Sequence, residues 1–153
     1  MEFNSLVPEF EVSDISKSLD FYLNILGFET EFERPESKFA YLSFHGSQIM
    51  LCEHDPEGDW VTGELIYPFG RGSHLQIHAP SVMEMLKNLK AKGVEIFKGP
   101  YEVWYPVKDN QLSGTREFLV QDPDGYLLRF QEEIGFRENL EGYKVSQRVI
   151  IDY

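Results

Sequence analysis

The stretch Val12-Ser13-Asp14-Ile15-Ser16-Lys17-Ser18-Leu19-Asp20-Phe21-Tyr22-Leu23-Asn24-Ile25-Leu26-Gly27-Phe28 decides the fold. Asp14 is a residue type that caps helix N-termini. Ile15, Leu19, Tyr22 and Leu26 then recur at 4-3-4 spacing, and Gly27 stands where a left-handed C-cap is wanted, so a helix is expected between Asp14 and Gly27. Upstream, Leu6 to Val12 alternates, with Leu6, Pro8, Phe10 and Val12 on one side, as a half-buried strand does; Pro8 places it at an edge or a strand start. Downstream come three strand-like runs, Phe28 to Arg34, Phe39 to Phe44 and Gln48 to Cys52, the last two joined by a tight turn at His45-Gly46-Ser47. The first half thus reads β-α-β-β-β.

Between Glu53 and Gly72 lie two prolines, four glycines and scattered acids, the composition of a loop or linker. The pattern then restarts. Ser73 to His78 reads as a strand, and Ser81 caps a helix with apolar positions Val82, Met85, Leu86 and Leu89 that stops at Gly93. Val94 to Phe97, Arg116 to Gln121 and Tyr126 to Gln131 read as strands, with the turn Asp122-Pro123-Asp124-Gly125 before the last. A shift of 67 residues lays Asp14 on Ser81, Ile15 on Val82, Leu19 on Leu86 and Tyr22 on Leu89. Coincidence of caps, periodicity and turns predicts an internal repeat. The expected fold is α+β: two βαβββ repeats whose curled mixed sheets surround a cleft. One domain is expected over residues 1–133, made of a repeat at 6–53, a linker at 54–72 and a repeat at 73–133, followed by a tail at 134–153. The tail ends in Val149-Ile150-Ile151-Asp152-Tyr153, which either adds an edge strand or stays loose.

Composition narrows the function classes. Fourteen Lys and Arg against 26 Asp and Glu give a net charge of −12, which repels phosphate backbones and anionic lipids, so nucleic acid and membrane surfaces are not expected partners. Ordinary solubility and attraction of a cationic ligand both account for that charge. The single cysteine, Cys52, excludes an intramolecular disulfide and suits a reducing compartment. Met1 to Val12 carries three acidic residues and no long apolar core, so no secretory leader is expected there. A cytoplasmic protein is the expectation.

The segments Val12-Ser13-Asp14-Ile15, Ser18-Leu19-Asp20-Phe21-Tyr22, Leu26-Gly27-Phe28 and Phe118-Leu119-Val120-Gln121-Asp122-Pro123-Asp124-Gly125-Tyr126 resemble the vicinal oxygen chelate superfamily of glyoxalases, extradiol dioxygenases, fosfomycin resistance enzymes and bleomycin resistance proteins. Enzymes of that superfamily hold a divalent metal through side chains on the first and last strands of each repeat. The matching positions here are Val7, Met50, His74 and Arg129, of which only His74 is a metal ligand, and Arg129 brings a cation where a carboxylate is needed. No metal or other cofactor is therefore expected. A lone strand histidine is more often a hydrogen-bonded wall residue than a ligand, and His74 is read that way, with contact to a bound molecule as its functional role. Glu53, His54 and Asp55 read as a solvated strand end.

Losing the metal while keeping the fold resembles the bleomycin resistance proteins, which sequester a cationic glycopeptide as homodimers. The resemblance implies a non-enzymatic, homodimeric binding protein for a cationic or aromatic small molecule; the alternative is a lyase, isomerase or transferase of the same fold acting on an unknown small substrate. Phe32 matches the place of one stacking aromatic in that group and is read either as such or as core. Where the group has a tryptophan just before Arg116-Glu117-Phe118, this chain has Gly114 and Thr115, and Trp104, Tyr105 or Trp60 are the candidate substitutes. The expected ligand-binding set is Phe32, Trp60, His74, Trp104, Tyr105 and Arg129. The segment Tyr101 to Ser113 is expected to cover the cleft or to form a flap at a dimer interface.

Overall fold

The computed structural model describes residues 2–153, which divide into two compact units. The first comprises residues up to Ser73 together with Gln121–Leu127; the second comprises His74–Val120 and Leu128–Tyr153.

In the first unit, β1 (Glu9–Val12), β2 (Glu29–Arg34), β3 (Phe39–Phe44) and β4 (Ser47–Glu53) form one sheet in the order β1-β4-β3-β2, with β1 parallel to β4 and the other pairs antiparallel. Helix α1 (Ile15–Leu19) starts where the Asp14 carboxylate accepts the Lys17 N–H at 3.0 Å and Glu53 accepts the Ile15 N–H at 3.0 Å. After Leu19 the winding widens into a π-helical segment, Asp20–Leu26, rather than the single α-helix that the 4-3-4 spacing suggests. Five-residue hydrogen-bond steps bring Phe21 into line with Leu26, so both are buried beside Tyr22. Gly27 ends the segment at φ 85. Because successive strand residues face opposite sides, Val12, Ala40, Leu42, Phe44, Ile49 and Leu51 form one buried face. His45 and Gly46, both at positive φ, make the tight β3–β4 turn.

The turn Asp122-Pro123-Asp124-Gly125 belongs to this unit. Asp122 accepts the Tyr22 hydroxyl at 3.0 Å and the N–H groups of Asp124 and Tyr126 at 2.9 Å, while Asp124 accepts the Ser13 N–H at 2.9 Å. Tyr126 stacks on Phe10 at 4.2 Å.

In the second unit, β5 (Leu75–His78), β6 (Lys98–Pro106), β7 (Gln111–Gln121), β8 (Leu127–Glu138) and β9 (Gln147–Ile150) lie in the order β5-β8-β7-β6-β9, with β5 parallel to β8 and β6 antiparallel to β7 and to β9. Helix α2 (Val82–Ala91) repeats the device of α1: Ser81 caps it, and Glu132 accepts the Val82 N–H at 3.0 Å as Glu53 does for Ile15. The strand registers repeat too, with Glu9 opposite Met50 and Gln76 opposite Arg129. The fold class is α+β, built on two βαβββ repeats with mixed sheets.

Two segments depart from the sequence reading. Val94 to Phe97 is not a strand: the Val94 N–H is used by the Leu89 carbonyl in the C-cap of α2, and the strand begins at Lys98. Tyr101 to Ser113 is not a flap but the greater part of the β6–β7 hairpin, turning at Asp109 and Asn110, both at positive φ. The tail's apolar end joins the sheet, as β9 pairs Tyr101 with Ile150 and Val103 with Arg148. No helix among the described residues is long and apolar enough to cross a membrane.

Candidate functional site

Residues opposite one another on neighbouring strands share a face. In the first unit the face turned away from the buried one therefore carries Glu9, Glu11, Met50 and Cys52 from β1 and β4, Phe39 and Tyr41 from β3, and Phe32 and Arg34 from β2. Its centre is aromatic. Phe32, half-buried, stacks on Tyr41 at 5.1 Å and tilts against Phe39 at 5.9 Å. The Arg34 guanidinium, itself a flat cation, lies 4.0 Å over the Phe39 ring. Phe3, from the segment preceding β1, meets Tyr41 and Phe32 edge-on at 5.4 and 6.5 Å.

At the end of this face a pocket of about 200 Å³ is lined by Glu11, Cys52, His54, Asp55, Asp59 and Trp60, among others. His54 Nδ1 lies 3.1 Å from the Glu11 carboxylate. Trp60 is 85% exposed, so its ring is open to solvent beside four acidic groups, Glu53 being the fourth. Burial, assisted by the charge of Glu11, pushes the Cys52 thiol up, which keeps it protonated and unreactive as a nucleophile.

The corresponding face of the second unit is built differently. Tyr101, Val103 and Tyr105 from β6 share it with Thr115 and Glu117 from β7, and on β5 and β8 Gln76 pairs with Arg129 and His78 with Gln131. Glu117 is 1% exposed and fully partnered. It accepts the Tyr105 hydroxyl at 2.9 Å and Arg129 Nε and Nη2 at 2.9 and 2.6 Å, and Arg129 Nη2 also donates to the Tyr105 oxygen at 2.6 Å. Burial, then the bond to Glu117, pushes the Tyr105 phenol up to about 12. His78 on β5 is exposed, and so is His74, four residues earlier and just ahead of that strand.

Trp104 and Tyr105, expected to line one groove, stand on opposite faces of β6 because they are consecutive strand residues. Trp104 lies opposite Gly114, where a Cβ would come within 2.7 Å of its ring, and Arg137 stacks over it at 4.0 Å. A tryptophan is thus held across the ladder from the position where the resemblance places one, with its ring already covered.

The four metal positions do not fit a divalent ion. Val7 has no donor atom, Met50 offers only a thioether, and Arg129 is a cation committed to Glu117, leaving His74 alone. Among the described residues no three His, Cys, Asp or Glu side chains gather as metal ligands do.

The residues that sequence reasoning missed are Tyr41, Phe3 and Glu117. The Phe39-Ala40-Tyr41 alternation marks Tyr41 as a neighbour of Phe32 once strand register is known, whereas nothing in Arg116-Glu117-Phe118 distinguishes a buried glutamate from a solvated one.

Residues 8–130 match the family model for the glyoxalase/bleomycin resistance protein/dioxygenase superfamily. A bleomycin resistance protein from Geobacillus stearothermophilus is 30% identical over 140 residues, covering 84% of this chain and 96% of that protein. Among solved structures, an integron cassette protein from the mobile metagenome of V. cholerae aligns with a TM-score of 0.62 at 21% identity, covering 86% of this chain and 97% of its own. A virulence protein from Salmonella typhimurium aligns at 0.60 and 20% identity, covering 88% and 100%. These two likenesses are of fold.

Proposed function

The chain belongs to the glyoxalase/bleomycin resistance protein/dioxygenase superfamily, and from that premise we propose that it is a metal-independent binding protein of the bleomycin-resistance type, sequestering a flat, cationic small molecule such as a bleomycin-family antibiotic. The observation that carries this reading is the first unit's aromatic sheet face, where the Phe32–Tyr41 stack shares a side with Glu9 and Glu11. Rings stack on such a surface through offset or edge contacts, and a net charge of −12 draws a cation toward it. Trp60 and its acidic pocket supply a second contact of the same chemistry. His74 is the exposed hydrogen-bonding candidate of the second unit, while Tyr105 and Arg129 are engaged with Glu117 and Trp104 is given to packing. The charge at Arg129, cancelled by Glu117, does not oppose capture of a cation.

A homodimer in a cytoplasmic setting completes the proposal. The exposed Val149 and Ile150 on the edge strand β9 supply apolar area for association.

The test is a calorimetric and tryptophan-fluorescence titration with copper-free and copper-loaded bleomycin. Saturable binding near one ligand per chain, weakened by salt and by Phe32→Ala, supports the reading. No heat and no quenching at high micromolar ligand removes bleomycin from it.

A further inference from the structure

The segment 2–6 runs exposed ahead of β1, yet it lies against the aromatic face through one side chain, Phe3, which remains 59% exposed. An apolar ring more than half in water on such a strap needs a reason, and its contacts give one: Phe3 touches the same two rings, Tyr41 and Phe32, that the proposed ligand uses. We propose that Phe3 is an internal plug on a ring-binding subsite, that Gln48 is the buckle holding it, and that a flat aromatic cation binds by taking the place of Phe3. This rests on the binding role argued above and adds to it the residues that set the cost of entry.

The buckle is one amide. Gln48 Oε1 accepts the Tyr41 hydroxyl at 2.7 Å and the Asn4 N–H at 2.8 Å, and Gln48 Nε2 donates to the Glu2 carbonyl at 2.7 Å. Asn4 Nδ2 adds a bond to the Gly46 carbonyl at 2.8 Å. Each bond to the strap is solvent-exposed, so water replaces it at little net cost when the strap lifts. Leu6, 79% exposed, adds no apolar anchor. The strap is therefore held weakly, and the platform beneath it is held firmly: Tyr41 and Phe39 are 4% and 6% exposed. Arg34 places its guanidinium 4.0 Å over Phe39, a contact of the kind a flat cation makes with such a ring.

The experiment uses proflavine, a flat aromatic cation, followed by fluorescence anisotropy with the full chain. Removing the plug, Phe3→Ala, should tighten proflavine binding about 3- to 10-fold, the equivalent of one edge-to-face ring contact. Gln48→Glu keeps the acceptor for Tyr41 but loses the donor to Glu2, and should tighten it in the same direction by less. Phe32→Ala should weaken binding in either background. Amide exchange at Asn4, read by NMR, should speed up when proflavine is added to the unaltered protein. Weaker binding in Phe3→Ala, or slower exchange at Asn4 with ligand, would mean that Phe3 closes over the ring and overturns the plug. Insensitivity to Phe32→Ala, or no proflavine binding even in Phe3→Ala, overturns it as well. Proflavine displacement of Phe3 with no response to bleomycin would leave the plug standing and sink the bleomycin reading alone.

Discussion

The two sheets carry opposite chemistry at matching register. Met50 lies opposite Glu9 in the first unit, and Arg129 lies opposite Gln76 in the second. Around Met50 the face is aromatic and acidic, with Phe32 half-buried against the buried rings of Tyr41 and Phe39 and carboxylates spread along β1. Around Arg129 it is closed by an internal network, in which a buried carboxylate, a guanidinium and a phenol satisfy one another. The two repeats thus differ in what their faces do: the second is paired within itself, and the first is not. The difference makes the second face costly to disturb and the first cheap.

The largest effect is expected at Arg129. Arg129→Met leaves Glu117 charged and unpaired in the interior, which costs about 3–5 kcal/mol, whereas the double variant Glu117→Gln, Arg129→Met recovers most of that loss because no charge is stranded. Urea denaturation of the unaltered protein and the two variants measures it. A single-variant loss under about 1 kcal/mol would mean that water reaches Glu117 and that the face is not closed.

Next in size is a pH effect outside both faces, at the turn the second repeat contributes to the first unit. Burial raises Asp122 from its ordinary 3.8 to about 6, outweighing the three hydrogen bonds it accepts. With the folded value above the unfolded one, its contribution to stability is fully present below pH 4 and is lost as pH rises through 6. The rise is worth roughly 3 kcal/mol at most. Asp122→Asn should therefore gain on the unaltered protein between pH 4 and pH 7, measured as the difference between two denaturation profiles. Parallel profiles would show that Asp122 titrates normally.

Much of the fold was legible because local signals agreed with one another. Asp14 and Ser81 cap their helices, Gly27 and Gly93 end them, and the 67-residue shift lands on equivalent register. What failed were places where one signal had two uses. Val94 looks like a strand residue, but its N–H is claimed by the helix cap; Tyr101, Val103 and Tyr105 alternate as a strand should, yet aromatic and proline content disguised them as a flap. At the site, the sequence singles out Phe32 as a stacking ring or core and Trp60 as a substitute for a missing tryptophan; the structure leaves Phe32 half-buried and Trp60 exposed. The division of Trp104 from Tyr105 follows from strand alternation, but the burial of Glu117 depends on Arg129 and Tyr105 arriving from other strands, and no local pattern encodes that.

The smallest effect tests the comparison from its open side. Phe32 sits on the exposed edge strand β2, where every other residue is exposed, and its ring is only half enclosed by Tyr41, Phe39 and Phe3. Truncation to alanine forfeits part of the 1.5–3 kcal/mol of a fully buried phenylalanine, so Phe32→Ala should cost about 1 kcal/mol in urea, several-fold less than Arg129→Met. A ring that matters little to the fold yet stands stacked among carboxylates is available for something else, and that availability is what the binding reading requires. A loss of 3 kcal/mol or more would place Phe32 in the core of its unit, make its role structural, and erase the contrast between the two faces.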